Sequence, residues 1–183
     1  MPATAADIIG FWTRAGPEKW FTKSDAFDDA LRLRFEPAHH AAARGVYADW
    51  AETADGALAL VLLFDQIPRN IYRGSAHAYA TDPLARQVAR AMLAAGQDQA
   101  IAENLRSFCY MPFMHSEDPA DQDLSVGLFE ALVIADGPSN VDFAKSHRDI
   151  VRRFGRFPHR NVTLGRVMTS EEQAFLDEGG FAG

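Results

Sequence analysis

Signals that begin and end helices recur along the whole chain, and they constrain its fold more than any other feature. They are either capping boxes, in which a hydroxyl and a carboxylate bond each other's backbone N–H groups, or a capping residue followed by proline. These signals are Thr4 with Asp7, Thr169 with Glu172, Thr81-Asp82-Pro83 and Asp118-Pro119. No segment shows the alternating pattern of a strand flanked by hairpin turns. The sequence therefore predicts an all-α fold.

Apolar residues recur at helical spacing between these signals. Ser24 precedes a series of apolar residues four positions apart, which predicts a capped helix that is interrupted or kinked at Pro37. Residues 57–64 are apolar on nearly every side, so this segment is expected to form a central, buried helix.

The remaining helix boundaries follow from the same residue types. Asp98 is expected to begin a helix that ends before Pro112, because proline interrupts helical hydrogen bonding. The following helix is expected to stop at Gly137, and Ser139 to cap a helix that runs to Phe154. These segments amount to about eight helices joined by short loops, an arrangement in which consecutive helices pack as antiparallel pairs.

Length and composition are those of an ordinary globular protein. The 183 residues predict a single helical domain, 1–183, and the apolar and charged fractions of 48% and 23% are typical of such domains. The single cysteine, Cys109, excludes an internal disulfide and a cysteine-rich zinc site. No apolar run reaches the ~18 residues of a membrane span, and no signal peptide is visible. We therefore expect a cytoplasmic protein without membrane contacts, and the net charge of −7 argues against general nucleic-acid binding.

One segment near the end of the chain departs from this acidic character. Between His147 and Arg166 there are six arginines and one acidic residue, Asp149, whereas the three lysines lie elsewhere. Arginine presents a planar fork that binds carboxylates or phosphates through paired hydrogen bonds. We interpret the irregular, donor-rich part of this segment as a candidate anion site. Its donors are Arg153, Arg156, His159, Arg160 and Asn161.

A second candidate segment is Phe64-Asp-Gln-Ile-Pro-Arg-Asn70. Asp65 and Gln66 are expected at the C-terminal end of the buried helix, because the proline that follows should force the chain out of helical geometry. An aspartate at that position faces the unfavourable end of the helix dipole, which indicates either a site or a structural ion pair. In the structural alternative the aspartate pairs with Arg69, Arg73 or an arginine of the later segment.

The third candidate segment is His115-Ser-Glu-Asp-Pro119, which further acidic residues follow. Asp118 is explained as a helix cap, whereas His115, Ser116 and Glu117 are not. A histidine beside a carboxylate can transfer protons, because its pKa lies near neutrality. In the structural alternative this acidic run is the partner of the arginine segment.

Several known catalytic and metal-binding patterns are absent from the sequence. It contains no phosphate-binding glycine loop, dinucleotide fingerprint, nucleophile elbow or zinc-protease motif. His39 and His40 are adjacent and point in different directions on a helix, so they make a poor metal pair. His147 falls on an apolar helical stripe and is expected to be a hydrogen-bonded core residue. We therefore expect neither a bound metal nor an organic cofactor.

The three segments, in this order, resemble a family of bacterial and fungal proteins catalogued as a domain of unknown function. The resemblance covers nearly the whole chain and extends to Phe11-Trp12, Trp20-Phe21 and Leu164-Gly-Arg166. Phe64 departs from the family pattern, in which a leucine is more usual. The resemblance implies an all-helical fold similar to tetratricopeptide-repeat proteins, with helix pairs stacked as a superhelix. The repeats would be degenerate, since the sequence has no 34-residue self-similarity.

These observations support one leading hypothesis and two alternatives. The leading hypothesis is a helical binding domain in which the three segments converge on one polar site for a small anionic ligand or the acidic end of a peptide. The expected ligand-binding residues are Asp65, Gln66, Arg69, Asn70, His115, Glu117, Arg153, Arg156, His159, Arg160 and Asn161. In the enzyme alternative, His115 is the general acid or base, Glu117 or Asp65 orients it, and the arginines stabilise negative charge. In the structural alternative these charges satisfy one another, and in every case the oligomeric state stays open.

Overall fold

The computed structural model describes residues 2–132 and 140–183, and the regular secondary structure of these two ranges is helical. They contain no strand, which confirms the all-α prediction. The helices are α1 (Ala5–Ala15), α2 (Pro17–Trp20), α3 (Asp25–Ala43), α4 (Ala54–Val61), α5 (Ile67–Ile71), α6 (Asp82–Ala94), α7 (Glu103–Met114), α8 (Pro119–Ala131), α9 (Val141–Phe154) and α10 (Ser170–Asp177). Two of them, the short helices α2 and α5, were not expected from the sequence. None of the helices in these ranges is both long and apolar enough to cross a membrane.

Most of the predicted helix starts are confirmed. The hydroxyls of Thr4 and Thr169 accept backbone hydrogen bonds at 3.2 Å, and the carboxylates of both predicted capping boxes return the contact. The side chains of Ser24 and Asp118 cap α3 and α8 as expected. Pro37 lies inside α3 and does not end it. These starts were predictable because a cap depends on residues within one turn of the chain.

The predicted helix start at Asp98 is wrong. Asp98 lies in a 3₁₀ turn, and α7 begins only at Glu103. Its side chain is buried and accepts hydrogen bonds from the hydroxyl of Tyr110 at 2.8 Å and the amide of Gln99 at 2.6 Å. The carboxylate thus serves a tertiary contact, which no local pattern reveals.

The next predicted boundary, at Pro112, is also wrong. Pro112 lies inside α7, within a stretch that includes the buried Met111. A proline in a helix interior removes one hydrogen bond, and the burial of the surrounding apolar side chains offsets that loss. The predicted stop at Gly137 and the predicted cap at Ser139 lie outside the described residues. Helix α9 ends at Phe154, as predicted.

The buried helix continues beyond its predicted end. After α4 the backbone forms one π turn, Leu62–Gln66, and then resumes as α5. The N–H of Ile67 donates to the carbonyl of Leu62, five residues back. The hydrogen bonds of the helix thus change from the α pattern to the π pattern just before Pro68. Since Pro68 has no N–H to donate, it lies where the regular hydrogen bonding is already interrupted. Asp65 therefore lies inside a continuous helical segment and not at a helix C-terminus.

Contacts within the chain define two compact units. The first comprises the residues up to Arg73 together with His77–Pro112, and the second comprises Gly74–Ala76 and Phe113–Gly183. The single domain 1–183 and the tetratricopeptide-like stacking of helix pairs stay predictions.

The core of the first unit surrounds α4. This helix is buried from Gly56 onward, as its apolar sequence predicted, and it contacts α1 and α6. Trp12 of α1 stacks on Trp20 at 6.2 Å and meets the edge of Phe108 at 5.5 Å, measured between ring centroids. All three rings are buried, so they are core residues.

One apolar cluster of the second unit includes residues of α9. Its buried residues are Ile150, Val151 and Phe157, and the partly buried rings of Phe154, Phe175 and Phe181 pack against them. Helices α8 and α9 pack against each other. Apolar rings therefore lie at the surface of this unit beside the charged side chains of α9.

Candidate functional site

In the first unit, residues 64–70 form a buried ion-pair network around Arg69. Nη1 of Arg69 lies 3.1 Å from Oδ1 of Asp65, and its two terminal nitrogens donate to the two oxygens of Asp82 at 2.8 and 3.0 Å. Asp65 and Asp82 are both buried. Burial alone would lower the pKa of Arg69, but the two carboxylates outweigh it and raise that pKa above its ordinary value. The pairing of Asp65 with Arg69, one of the three kinds of partner expected from the sequence, is confirmed.

The neighbouring amides extend this network. Gln66 donates to Oδ2 of Asp65 at 2.6 Å, and Asn70 donates to the carbonyl of Gln66 at 3.0 Å. Oδ1 of Asn70 accepts a hydrogen bond from Arg73 at 2.7 Å, and Arg73 pairs with Asp28 at 2.6 Å. The polar groups of this segment are directed at one another, which is typical of a structural network.

In the second unit, Glu117 is the centre of a comparable network. Its two oxygens accept paired hydrogen bonds from Arg166 at 2.7 and 3.0 Å, and Oε1 also accepts the backbone N–H of Phe157 at 2.8 Å. Arg166 donates further to Oδ1 of Asn161 at 2.9 Å. Burial alone would raise the pKa of Glu117, but the hydrogen bonds from Arg166 and Phe157 outweigh it and hold that pKa below its ordinary value. Glu117 is therefore ionised at neutral pH.

Two more arginines of the segment meet carboxylates of the same unit. Arg156 donates to both oxygens of Glu172 at 2.6 and 2.8 Å, and Arg152 donates to Asp123 at 2.7 Å. The hydrogen bond from Arg156 is the main reason that the pKa of Glu172 lies well below its ordinary value. The interpretation of the acidic run as the partner of the arginine segment is confirmed for Glu117 and Asp123.

Arg160 and His147 support the backbone of this unit. Arg160 is buried, donates to the carbonyl of His115 at 3.0 Å, and places its guanidinium 4.6 Å from the ring centroid of Phe157. His147 is buried as predicted, and its Nδ1 lies 2.7 Å from the carbonyl of Phe143, one turn earlier in α9. Both contacts join a side chain to a backbone carbonyl of the same unit.

Replacing Arg156 with lysine tests whether its fork is structural. The change keeps the positive charge but removes the geometry that binds both oxygens of Glu172 and the carbonyl of Val167. We expect a lower melting temperature, measured by circular dichroism, and a larger fall in Glu172→Ala, which also removes the capping box of α10. Arg152→Lys is the control and is expected to melt like the wild type. An unchanged melting temperature in Arg156→Lys would show that the guanidinium of Arg156 is not needed for stability, and would favour a role in ligand binding.

Arg153 lies in a more open environment than Arg156, Arg160 and Arg166. It contacts Oε1 of Glu171 through Nε at 3.0 Å and Nη2 at 2.9 Å, and the two side chains are 52% and 65% exposed. Its guanidinium lies 4.7 Å from the ring centroid of Phe154 and 5.8 Å from that of Phe175. The contacts to Glu171 use two of the five N–H donors of a guanidinium, so donors remain for a ligand.

A cleft lies beside Arg153. Helix α9 forms one side of it, and the end of α10 together with the residues that follow α10 forms the other. We call it the α9–α10 cleft, and its volume is about 620 Å³. It is lined by Asp142, Lys145, Ser146, Asp149, Ile150, Arg153, Phe154, Phe175, Gly179, Gly180 and Phe181. The ring of Phe181 also contacts two of the histidines of this unit, with centroids 4.5 Å from His147 and 5.1 Å from His159. The cleft thus combines apolar rings with charged side chains.

The sequence patterns single out Arg153 and miss the other cleft residues. Asp142, Lys145 and Asp149 lie three and four residues apart on α9, and this spacing could have identified one charged helix face. Phe175 and Phe181 carry no comparable signal, because only the tertiary fold brings them to α9.

The predicted site residues fall in both units. The first unit contains Asp65, Gln66, Arg69 and Asn70, and the second contains His115, Glu117, Arg153, Arg156, His159, Arg160 and Asn161. Within each unit the networks around Arg69 and Glu117 bring residues of the candidate segments together. The convergence of all three segments on one site stays a prediction. In the part of the chain that the structure describes, no three or more His, Cys, Asp or Glu side chains are arranged to hold a metal ion.

Fold and networks together define an all-α protein with arginine–carboxylate networks in each of two units. Residues 8–180 match the family described as "Bacterial protein of unknown function (DUF924)", and the chain belongs to this family. The chain is also similar to a solved structure of a protein of unknown function from Agrobacterium tumefaciens. That match has 52% sequence identity and a TM-score of 0.91, and it covers 96% of this chain and 97% of the other. No curated protein matches the chain.

Proposed function

We propose that this is a binding protein whose α9–α10 cleft holds a small anionic ligand, or the acidic end of a peptide, that also carries an apolar group. The observation that carries the proposal is the cleft itself, in which aromatic rings meet the cationic side chains of Lys145 and Arg153. Its volume of about 620 Å³ is within the range of small-ligand sites. A ligand carboxylate binds Arg153 through paired hydrogen bonds, and the apolar group contacts Phe154 and Phe175.

The ion pairs at the rim support this assignment because they are exposed. Arg153 pairs with Glu171, and Lys145 pairs with Glu130 at 2.8 Å with side chains 43% and 52% exposed. Exposed pairs contribute only about 0–1 kcal/mol, so a ligand carboxylate competes with Glu171 at small cost. The partner of Arg156 is 3% exposed and also caps α10, so that arginine is less open to exchange. We therefore assign the anion to Arg153.

The enzyme alternative has less support. It requires His115 to transfer a proton while Glu117 orients it. The oxygens of Glu117 accept hydrogen bonds from Arg166 and Phe157, and the carbonyl of His115 accepts one from Arg160. These contacts favour a role in holding the segments in place, so the proposal is binding rather than catalysis.

N-acetyl-alanyl-phenylalanine is a suitable probe, because it carries one carboxylate and one aromatic ring. We expect it to bind the wild type in an NMR titration, with the largest shift changes at the amides that line the cleft. Arg153→Gln is expected to raise the Kd about fivefold, the contribution of one exposed ion pair. The control is Arg152→Gln, which makes the same charge change on the neighbouring residue and whose partner Asp123 does not line the cleft. It is expected to bind like the wild type.

Two results would contradict the proposal. The first is an absence of binding to the wild type. The second is an equal loss in the Arg153 and Arg152 variants, because the ligand would then respond to net charge and not to the guanidinium at the cleft.

A further inference from the structure

The acidic residues at the rim of the α9–α10 cleft are not explained by an anionic ligand. Asp142, Lys145, Asp149 and Arg153 follow one another along α9 at three- and four-residue spacing, so negative and positive charges alternate along one wall. Two carboxylates and two cations make this wall electrically balanced. A ligand with a carboxylate alone is attracted by Arg153 and repelled by Asp149. A ligand that carries a carboxylate and an ammonium group has a charge of opposite sign for each of these two side chains.

Asp149 and Arg153 are the best-placed pair of opposite charges. They lie one helical turn apart, which separates their Cβ atoms by about 5–6 Å. The side chain of Asp149 is 69% exposed, and its contact with Arg148 is long, at 3.7 Å. Between them in the sequence lies Ile150, which lines the cleft and belongs to the buried core. Both charges therefore stand at the edge of an apolar surface.

We propose that the ligand of the cleft is a zwitterion of dipeptide size with an apolar side chain. Its ammonium group binds Asp149 and its carboxylate binds Arg153. This inference rests on the proposed anion-binding function and adds the ammonium contact to it. The two ends of an extended dipeptide lie about 6–7 Å apart, which is comparable to the separation of about 5–6 Å between the Cβ atoms of Asp149 and Arg153. The apolar side chain contacts the rings of Phe154, Phe175 and Phe181.

Three related probes separate the two charges. Alanyl-phenylalanine carries both charges, its N-acetyl derivative carries only the carboxylate, and its C-terminal amide carries only the ammonium. Near pH 6.5 the α-amino group is protonated and the carboxylates are ionised. In NMR titrations of the wild type, we expect the Kd of the free dipeptide to be about two- to fivefold lower than that of the acetylated form, the gain from one exposed ion pair. The amide is expected to bind more weakly than the free dipeptide.

Asp149→Asn isolates the ammonium contact. We expect it to remove the advantage of the free dipeptide over the acetylated form, whereas Asp123→Asn, outside the cleft lining, retains that advantage. If the acetylated and free dipeptides bind the wild type equally, or if Asp149→Asn leaves their difference unchanged, the inference is overturned and the proposed function survives. If the acetylated dipeptide does not bind the wild type, the proposed function itself is overturned.

Discussion

Arg69→Met is expected to lower the free energy of unfolding by about 3–5 kcal/mol, as when one partner of a buried ion pair is removed. Arg69 is the common partner of two buried carboxylates. Its replacement removes the guanidinium that pairs with both Asp65 and Asp82. Asp65→Asn is expected to cost less, because Arg69 keeps its paired hydrogen bonds to Asp82. Urea unfolding at about pH 7, followed by circular dichroism, measures both variants.

Arg44→Met is the control for this comparison. Arg44 is exposed at the end of α3, so its replacement is expected to change the free energy of unfolding by less than about 0.5 kcal/mol. If Arg69→Met costs no more than the control, the network does not stabilise the first unit. If Asp65→Asn costs as much as Arg69→Met, the contact with Asp82 contributes little and Asp65 is the essential partner.

Glu117→Gln is expected to lower the free energy of unfolding by about 2 kcal/mol near pH 7. The glutamine has almost the shape of the glutamate, but its amide cannot accept both hydrogen bonds of Arg166 as well as that of Phe157. The pKa of Glu117 is lowered in the folded protein. Its stabilisation is therefore fully present above the unfolded value of about 4.3 and is lost as the pH falls through the folded pKa.

The pH dependence distinguishes this ion pair from a packing effect. The difference between the wild type and Glu117→Gln is expected to shrink below about pH 4.3, because the protonated glutamate then resembles glutamine. Glu178→Gln, at an exposed position after α10, is the control and is expected to match the wild type at each pH. A difference that stays constant from neutral to acid pH would mean that shape, and not charge, is responsible.

The local part of the fold was predictable, and the errors share one cause. Helix starts at Thr4, Ser24 and Thr169 depend on residues within a single turn, so the sequence displays them directly. The predicted breaks at Pro68 and Pro112 are wrong because both prolines lie in buried helical segments, where packing offsets a missing hydrogen bond. Burial depends on neighbours that are distant in sequence, so it cannot be derived from helix propensities, which describe single residues.

The same distinction applies to the charged residues. Asp65 and Arg69 lie four residues apart, so their pairing follows from the geometry of a helix and was one of the expected alternatives. Glu117 and Arg166 are 49 residues apart, and no local spacing indicates that they form a paired contact. The sequence therefore shows that an arginine surplus exists, and the tertiary structure decides which carboxylate neutralises each guanidinium.

By itself, the sequence determined an all-helical chain, its main caps and a concentration of arginines that calls for acidic partners. Only the tertiary structure decided that Arg156 and Arg166 meet carboxylates of their own unit, whereas Arg153 lies at the open α9–α10 cleft. The physical reason is that helix signals act within a turn, through backbone hydrogen bonds and side-chain caps. The exposure of a charged side chain depends on which parts of the chain pack around it. Near Arg153 these parts include the segment that contains Phe175 and Phe181.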